Sequence, residues 1–263
     1  MGYCTRFPRE VQETFLFLLF SIIMEDDGTP IAYRTSRKGQ SLMKCMYYGH
    51  SAFSLSAENT TILFDPFITD NPWTTVSPSS ITCQYIFISH AHGDHYGDAE
   101  EIAKANDALI ISTAEVAGKA RMAGCNAHAM HIGGKADFPF GSIRLTPALH
   151  GSGIAGGMAC GCLLEFAGKR IYYAGDTGLY SDMKLHSRFG PIDVAFLPIG
   201  DNFTMGMEDA ALAASWIQPK MVIPIHYGTW PVVNADPAFY KKMTEETYSV
   251  PVHIVPPGTE YEF

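Results

Sequence analysis

Four side chains that can bind metal lie within six residues, directly after a short apolar run. They are His90, His92, Asp94 and His95, in the pattern H-x-H-x-D-H. The preceding run from Tyr85 to Ile88 predicts a buried strand. In extended backbone, residues i and i+2 face the same side, so His90 and His92 can hold one metal ion. Gly93 allows a turn, after which Asp94 and His95 can reach a second ion.

This motif and its position at a strand end resemble the signature of the metallo-β-lactamase superfamily. The resemblance implies further ligands downstream, and three later apolar runs each end in a suitable residue. Ile143 to Leu149 is followed by His150, Ile171 to Gly175 by Asp176, and Met221 to Ile225 by His226. Each is followed by glycine or a small residue within two or three positions, as is typical of an α/β scaffold that presents functional groups on loops.

The resemblance implies an α/β (α+β) fold, a four-layer αββα sandwich, over residues 43–263. It also implies that His90, His92 and His150 bind one ion, that Asp94, His95 and His226 bind another, and that Asp176 bridges the two. A nitrogen-rich set with two carboxylates suits Zn²⁺, and Mn²⁺, Fe²⁺ or Ni²⁺ remain open. Within the superfamily, four segments most resemble the small metal-dependent hydrolases related to ascorbate-6-phosphate lactonase: Gly49-His-Ser51, Asp65-Pro-Phe67, Gly175-Asp-Thr-Gly178 and Gly200 to Gly206.

Two adjacent cations lower the pKa of a bound water from about 15.7 towards about 7, which makes a hydroxide nucleophile available at neutral pH. Asp94 is then expected to orient the nucleophile or to take a proton besides binding metal. His50 either points into the site as an acid or substrate contact, or packs locally. We expect Asp65 to hydrogen-bond a metal-binding histidine. Asn202, Phe203, Met205 and Trp230 lie on loops that either wall the substrate pocket or pack as ordinary loop residues.

The charge and the cysteines restrict the partners. A net charge of −9 argues against a broad basic surface for nucleic acid or anionic lipid, so a small-molecule substrate is expected. The six dispersed cysteines indicate free, buried thiols in a reducing cytoplasm. A homo-oligomer is compatible with the sequence. Two other functions stay open: a phosphodiesterase acting on nucleotides or nucleic acid, and a non-catalytic metal-binding or sensor module.

Residues 1–42 differ from the rest and are predicted to be a dispensable N-terminal extension. Their apolar run, Phe15 to Met24, is too short to span a bilayer, so no stable membrane insertion is expected. A short membrane-surface helix is the alternative interpretation. Residues 43–263 are predicted to form one hydrolase domain, a size that buries a substantial core. Helices are predicted over 98–106, 113–123, 179–187, 207–216 and 237–247, with strands between and around them.

Overall fold

The computed structural model describes residues 42–263, and the predicted extension and its apolar run lie outside the described residues. Two sheets form the centre of the described part. The first sheet has the strand order β13-β1-β2-β3-β4-β5-β6. Its strands are β1 (Lys44–Gly49), β2 (Ala52–Ala57), β3 (Thr60–Phe64), β4 (Tyr85–Phe87), β5 (Leu109–Thr113), β6 (Ala127–Met130) and β13 (Thr259–Glu262).

The second sheet has the order β12-β11-β10-β9-β8-β7. Its strands are β7 (Lys135–Phe138), β8 (Gly141–Pro147), β9 (Cys160–Phe166), β10 (Lys169–Tyr173), β11 (Val194–Pro198) and β12 (Met221–Ile225). The helices are α1 (Gly93–Tyr96), α2 (Ala99–Asn106), α3 (Ala114–Met122), α4 (Met207–Ile217) and α5 (Pro237–Tyr248), with 3₁₀ segments at Pro78–Ser80, Ser181–Phe189 and Pro231–Val233.

Whether neighbouring strands are parallel or antiparallel depends on the length of the segment that connects them. Tight turns join the antiparallel pairs β1–β2, β2–β3 and β9–β10. β3, β4, β5 and β6 are mutually parallel, as are β10, β11 and β12, and parallel neighbours need long crossovers. α2 and α3 are two of these crossovers and cover the outer face of the first sheet. α4 and α5 cover the outer face of the second sheet.

The principal apolar core lies between the two sheets. Phe53 of β2 stacks on Phe64 at 4.4 Å within its own sheet and on Phe196 of the opposite sheet at 4.1 Å. Such aromatic contacts add stabilisation beyond the area they bury. The predicted αββα sandwich is therefore confirmed. Within residues 42–263, no helix has the length and apolar character required to cross a bilayer.

Most predicted elements are present within a few residues. The main differences are the four-residue helix α1, where only a turn at Gly93 was expected, and two further elements. The helix predicted over 179–187 is a 3₁₀ segment at Ser181–Phe189. β7 was not predicted, because Lys135-Ala-Asp-Phe has too little apolar character to indicate a strand, and it lies at the edge of its sheet. The five described cysteines, Cys45, Cys83, Cys125, Cys160 and Cys162, are free and buried, as expected.

β13 closes the first sheet by pairing antiparallel with β1. Backbone hydrogen bonds join Met43 and Phe263 in both directions, at 3.1 and 2.9 Å. Lys44 also bonds to Glu260 at 2.8 Å, across 216 positions of sequence. The beginning and the end of the described chain are therefore neighbours in one sheet.

Candidate metal centre

The polar residues predicted from the sequence converge at one edge of the sandwich, where strands of both sheets end. His90 follows β4, Asp176 follows β10 and His226 follows β12 directly. His150 follows β8 after two residues, and His50 follows β1. The carboxyl ends of neighbouring parallel strands meet at one edge, so residues distant in sequence are brought together there.

The H-x-H-x-D-H segment changes conformation at Gly93. His90 and His92 precede α1, and their Nε2 and Nδ1 atoms lie 2.9 Å apart. His150 Nε2 is 3.3 Å from the same His92 Nδ1, so three ring nitrogens surround one point. α1 then carries Asp94 and His95, and its first turn is closed by hydrogen bonds to the His92 carbonyl from His95 N and Tyr96 N, at 3.1 and 2.8 Å.

Asp176 lies between the two groups of histidines. Its Oδ2 is 3.1 Å from His95 Nε2, 3.0 Å from His226 Nε2 and 3.6 Å from His150 Nε2. Gly175 makes this placement possible: it has φ +62°, and a Cβ atom there would lie 2.6 Å from the Cys160 carbonyl oxygen. Only glycine adopts such a conformation in so confined a position without strain.

His50 completes the second group, with ligand-capable atoms that cluster with those of Asp94, His95 and His226. Its Nε2 is 3.3 Å from Asp94 Oδ2, and its Nδ1 is 2.9 Å from Thr229 Oγ1. An ionised carboxylate can only accept, so in the neutral imidazole the hydrogen is on Nε2 and Nδ1 accepts from the Thr229 hydroxyl. His50 is fully buried, and its ring packs against Trp230 at a centroid distance of 4.9 Å.

Asp65 organises the layer beneath these residues. Its Oδ2 accepts from His95 Nδ1 at 2.6 Å, from Tyr173 Oη at 2.5 Å and from Ser89 Oγ, while its Oδ1 accepts from Ser89 N at 2.7 Å. The predicted hydrogen bond from Asp65 to a histidine is therefore present. It fixes the His95 ring so that Nε2 faces Asp176, the arrangement that carboxylates impose on metal-binding histidines.

Burial and neighbouring charges act in opposite directions on the titratable groups. Burial alone would raise the pKa of the Asp176 carboxyl, but His226 and His95 outweigh it and hold that pKa well below its usual range. For Asp94, burial is likewise outweighed, by the hydrogen bond from His50, and the pKa is lowered. Burial lowers the pKa of His90, and it lowers the pKa of His50 to about 4. Ionised carboxylates and neutral imidazoles are the protonation states that bind metal. At His95 burial is outweighed by Asp176 and Asp65, which raise its pKa, so metal binding at His95 would displace a proton.

The donor set fits divalent metal ions. Within the described residues, three buried polar atoms of this cluster have no hydrogen-bond partner: His95 Nε2, Asp176 Oδ1 and His226 Nδ1. Such atoms are costly to bury unless something compensates them. Two further triads can be formed at the site, His90 with His92 and His150, and Asp65 with His90 and His95. Imidazole nitrogens with a few carboxylate oxygens suit zinc and similar transition metals.

The structure brings together all seven predicted ligand residues and also His50. Three positioning residues were not anticipated from the sequence: Ser89, Tyr173 and Thr229. Ser89 is the residue before His90, and Tyr173 lies three residues before Asp176, so proximity to the motif was an available signal. Thr229 contacts His50 across 179 residues of sequence, and a single sequence shows no signal for that contact.

Comparisons with known proteins agree with this geometry. The family model described as "Beta-lactamase superfamily domain" matches residues 60–227. The solved structure of Igni18, described as a novel metallo hydrolase from the archaeon Ignicoccus hospitalis, is similar with a TM-score of 0.80 and 35% identity, over 85% of this chain and 99% of that one. The fold and the site together define a metal-dependent hydrolase of the metallo-β-lactamase fold.

Comparison with individual relatives identifies the family within this superfamily. A protein of Natranaerobius thermophilus named "UPF0173 metal-dependent hydrolase" is 52% identical over 220 residues, which are 84% of this chain and 99% of the relative. A Bacillus subtilis protein of the same family is 48% identical over 204 residues, 74% of this chain and 90% of the relative. The chain belongs to the UPF0173 family of metal-dependent hydrolases, within the β-lactamase superfamily.

Proposed function

We propose that this hydrolase binds two divalent metal ions and cleaves a small ester, lactone or phosphoester. One observation carries the proposal: Asp176 Oδ2 lies within 3.6 Å of the Nε2 atoms of three histidines, one from helix α1 and two from strand ends. His90, His92 and His150 would hold one ion, Asp94, His95 and His226 the other, and Asp176 both. Zn²⁺ is the ion that this donor set suits best.

Bound divalent ions supply Lewis acidity and lower the pKa of water at the site. The protein's own residues then have separate tasks. His95 is held in orientation by Asp65, and Asp94 is held by the Nε2–H of His50. His50 and Asp94 therefore form a pair that can hold or transfer a proton at His50 Nε2. Trp230 and Phe67 pack against the His50 ring, at 4.9 and 5.8 Å, and exclude water from that side.

The relation to ascorbate-6-phosphate lactonase and the cytoplasmic location stay predictions. Loss of one or more ligands would mark a non-catalytic metal sensor, and all seven ligand positions are filled, which favours a hydrolase.

The test is reconstitution of the full chain with Zn²⁺, Mn²⁺, Fe²⁺ or Ni²⁺, followed by metal analysis and assay with 4-nitrophenyl butyrate, a γ-lactone and bis(4-nitrophenyl) phosphate. We expect about two bound ions, because seven ligands exceed the four of one tetrahedral site, and turnover of at least one reporter. Protein that binds the ions and cleaves none of these reporters would refute the proposed substrate classes.

A further inference from the structure

Six loops carry the candidate metal centre, and they differ in charge from the rest of the chain. We call them the rim: residues 65–77, 88–98, 147–159, 174–180, 199–206 and 226–236. The chain has 18 lysines and arginines, yet none of them belongs to the rim. The rim does contain acidic residues besides the proposed ligands, including the exposed Asp70 and Asp201.

The helix N-termini at this edge are already matched to acidic side chains. α2 has Glu100 and Glu101 in its first turn, α3 has Glu115, and α4 has Glu208 and Asp209. The Asp236 carboxylate caps α5 by accepting from Ala238 N at 2.8 Å. A helix N-terminus attracts an anion only where its partial positive charge is not already satisfied.

Exposed apolar side chains are concentrated at the rim. Nine large hydrophobic residues are exposed in the described part of the chain, and four of them are rim residues: Leu149, Met158, Phe203 and Val232, with 49% to 59% of their surface accessible. Phe203 belongs to the loop anchored beside Asp176, since Met205 N donates to the Thr177 carbonyl at 2.9 Å. The half-buried Trp230 adds an aromatic surface next to His50. Exposed apolar groups at a site mouth favour ligands with apolar parts.

Resting on the proposed function, we propose that the substrate is an uncharged carboxylic ester or lactone that bears an aliphatic or aromatic group, and not a phosphoester. Besides bound metal ions, proteins recognise phosphate groups with arginine, lysine and free helix N-termini. Within residues 42–263 the rim supplies no lysine, no arginine and no α-helix N-terminus that lacks an acidic side chain. Its exposed acidic residues repel an anion. The apolar rim residues instead contact the substituent of a neutral ester, whose carbonyl lies over the His and Asp cluster.

The test compares two ligands with the same ring and different charge: acetophenone, which is neutral, and phenylphosphonate, which is an anion. Metal-free full-length protein is titrated with each at about pH 8, where the phosphonate is an anion, and tryptophan fluorescence is recorded. Metal-free protein isolates the contribution of the rim from that of the ions. Thermal unfolding of the same sample establishes that it is folded.

We expect acetophenone to bind at least about tenfold more tightly than phenylphosphonate, because the rim offers the anion no lysine or arginine and its exposed carboxylates repel it. Trp230→Phe should greatly reduce the fluorescence change. Phe203→Arg should strengthen phenylphosphonate binding by about tenfold. Met122→Arg, an equally large change at a residue that is 92% exposed near the end of α3, should leave both affinities unchanged.

Phenylphosphonate binding as tight as that of acetophenone, or acetophenone giving no signal that depends on Trp230, would overturn the inference. These binding outcomes do not depend on turnover. If the binding is as expected but metal-loaded protein cleaves no reporter, the proposed hydrolysis fails while the ligand preference stands. If metal-loaded protein cleaves reporters but phenylphosphonate binds better, hydrolysis stands and the substrate class is wrong.

Discussion

The backbone N–H of His226 donates to the carbonyl oxygen of His50 at 2.7 Å. This bond joins the β1–β2 turn of the first sheet to the end of β12 in the second. Both residues have left-handed backbone, with φ +57° for His50 and +55° for His226, and non-glycine residues with such angles are concentrated at functional sites. The Tyr47 hydroxyl donates to the same carbonyl at 2.8 Å, so the position of the His50 ring is determined by the junction of the two sheets.

The role of His50 is tested by His50→Asn, because asparagine tolerates left-handed backbone better than alanine does. We expect kcat to fall by about 10²-fold or more, which is the usual contribution of a positioned acid or base, while metal content stays at the wild-type value. Metal analysis and steady-state kinetics on one preparation measure both. A loss of metal would instead make His50 a ligand, and unchanged kcat and metal content would leave it a packing residue.

Replacement of the residue between the two histidine groups should be the most damaging change for metal binding. Asp176→Ala removes the carboxylate that contacts the Nε2 atoms of both His95 and His226, and we expect metal affinity to fall by more than about tenfold. The exposed Asp182 supplies a control, Asp182→Ala, with no expected effect. Full double occupancy and normal turnover in Asp176→Ala would refute the bridging assignment.

Tyr173 and Tyr172 form a matched pair, since both are fully buried in β10 and face opposite sides of the sheet. Tyr173→Phe removes a hydrogen bond to Asp65 and should lower metal affinity by about tenfold through the orientation of His95. Tyr172→Phe removes a hydroxyl that lies 3.5 Å from the Tyr180 hydroxyl, away from the metal centre, and should leave metal affinity unchanged. Equal effects of the two changes on metal affinity would show a general loss of stability instead of a specific one.

The free energy of unfolding should decrease as the pH is lowered, because His186 binds a proton less readily in the folded protein than in the unfolded chain. This buried residue lies 3.0 Å from the Tyr180 hydroxyl, and burial lowers its pKa from 6.5 to about 4. The unfolded chain therefore takes up this proton first, so the stabilisation is complete above pH 6.5 and is lost as the pH falls towards about 4. Its size is about 3 kcal/mol of unfolding free energy.

His186→Gln should reduce that acid dependence by a comparable amount when urea unfolding is measured at a series of pH values. The metal-site histidines also titrate with acid, but they do so in both proteins, so the difference between variant and wild type isolates His186. His131→Gln, a change at an exposed histidine, serves as the control. The same slope of stability against pH in wild type and His186→Gln would contradict the prediction.

We propose that residues 43–263 fold and bind metal without residues 1–42. Deletion of residues 1–42 should preserve a cooperative thermal transition and the metal stoichiometry, because β1 begins at Lys44 and has strand partners on both sides. Calorimetry and metal analysis of the truncated protein test this. Aggregation or loss of metal on truncation would show that the domain requires the deleted residues.

Local chemistry decided which parts of the site were predictable from sequence. His90, His92, Asp94 and His95 are recognisable because their spacing has a geometric meaning within one segment, and Asp176 and His226 because each follows an apolar strand. The orientation of the His50 ring towards the site was not predictable. It depends on contacts with Thr229 and with the His226 backbone, which are both far away in sequence. The 3₁₀ form of Ser181–Phe189 was also missed, because an apolar pattern over nine residues does not separate it from an α-helix.

The pairing of β13 with β1 has a consequence for how the protein is made. Synthesis proceeds from the N-terminus, so every proposed metal ligand leaves the ribosome before Thr259–Glu262 does. Until those residues emerge, β1 lacks the only strand partner that it has on that side among residues 42–263, and such exposed edges invite association with other chains. A nascent chain that stalls after the ligands are complete would therefore expose this edge to neighbouring molecules, and release of the last strand from the ribosome removes that hazard.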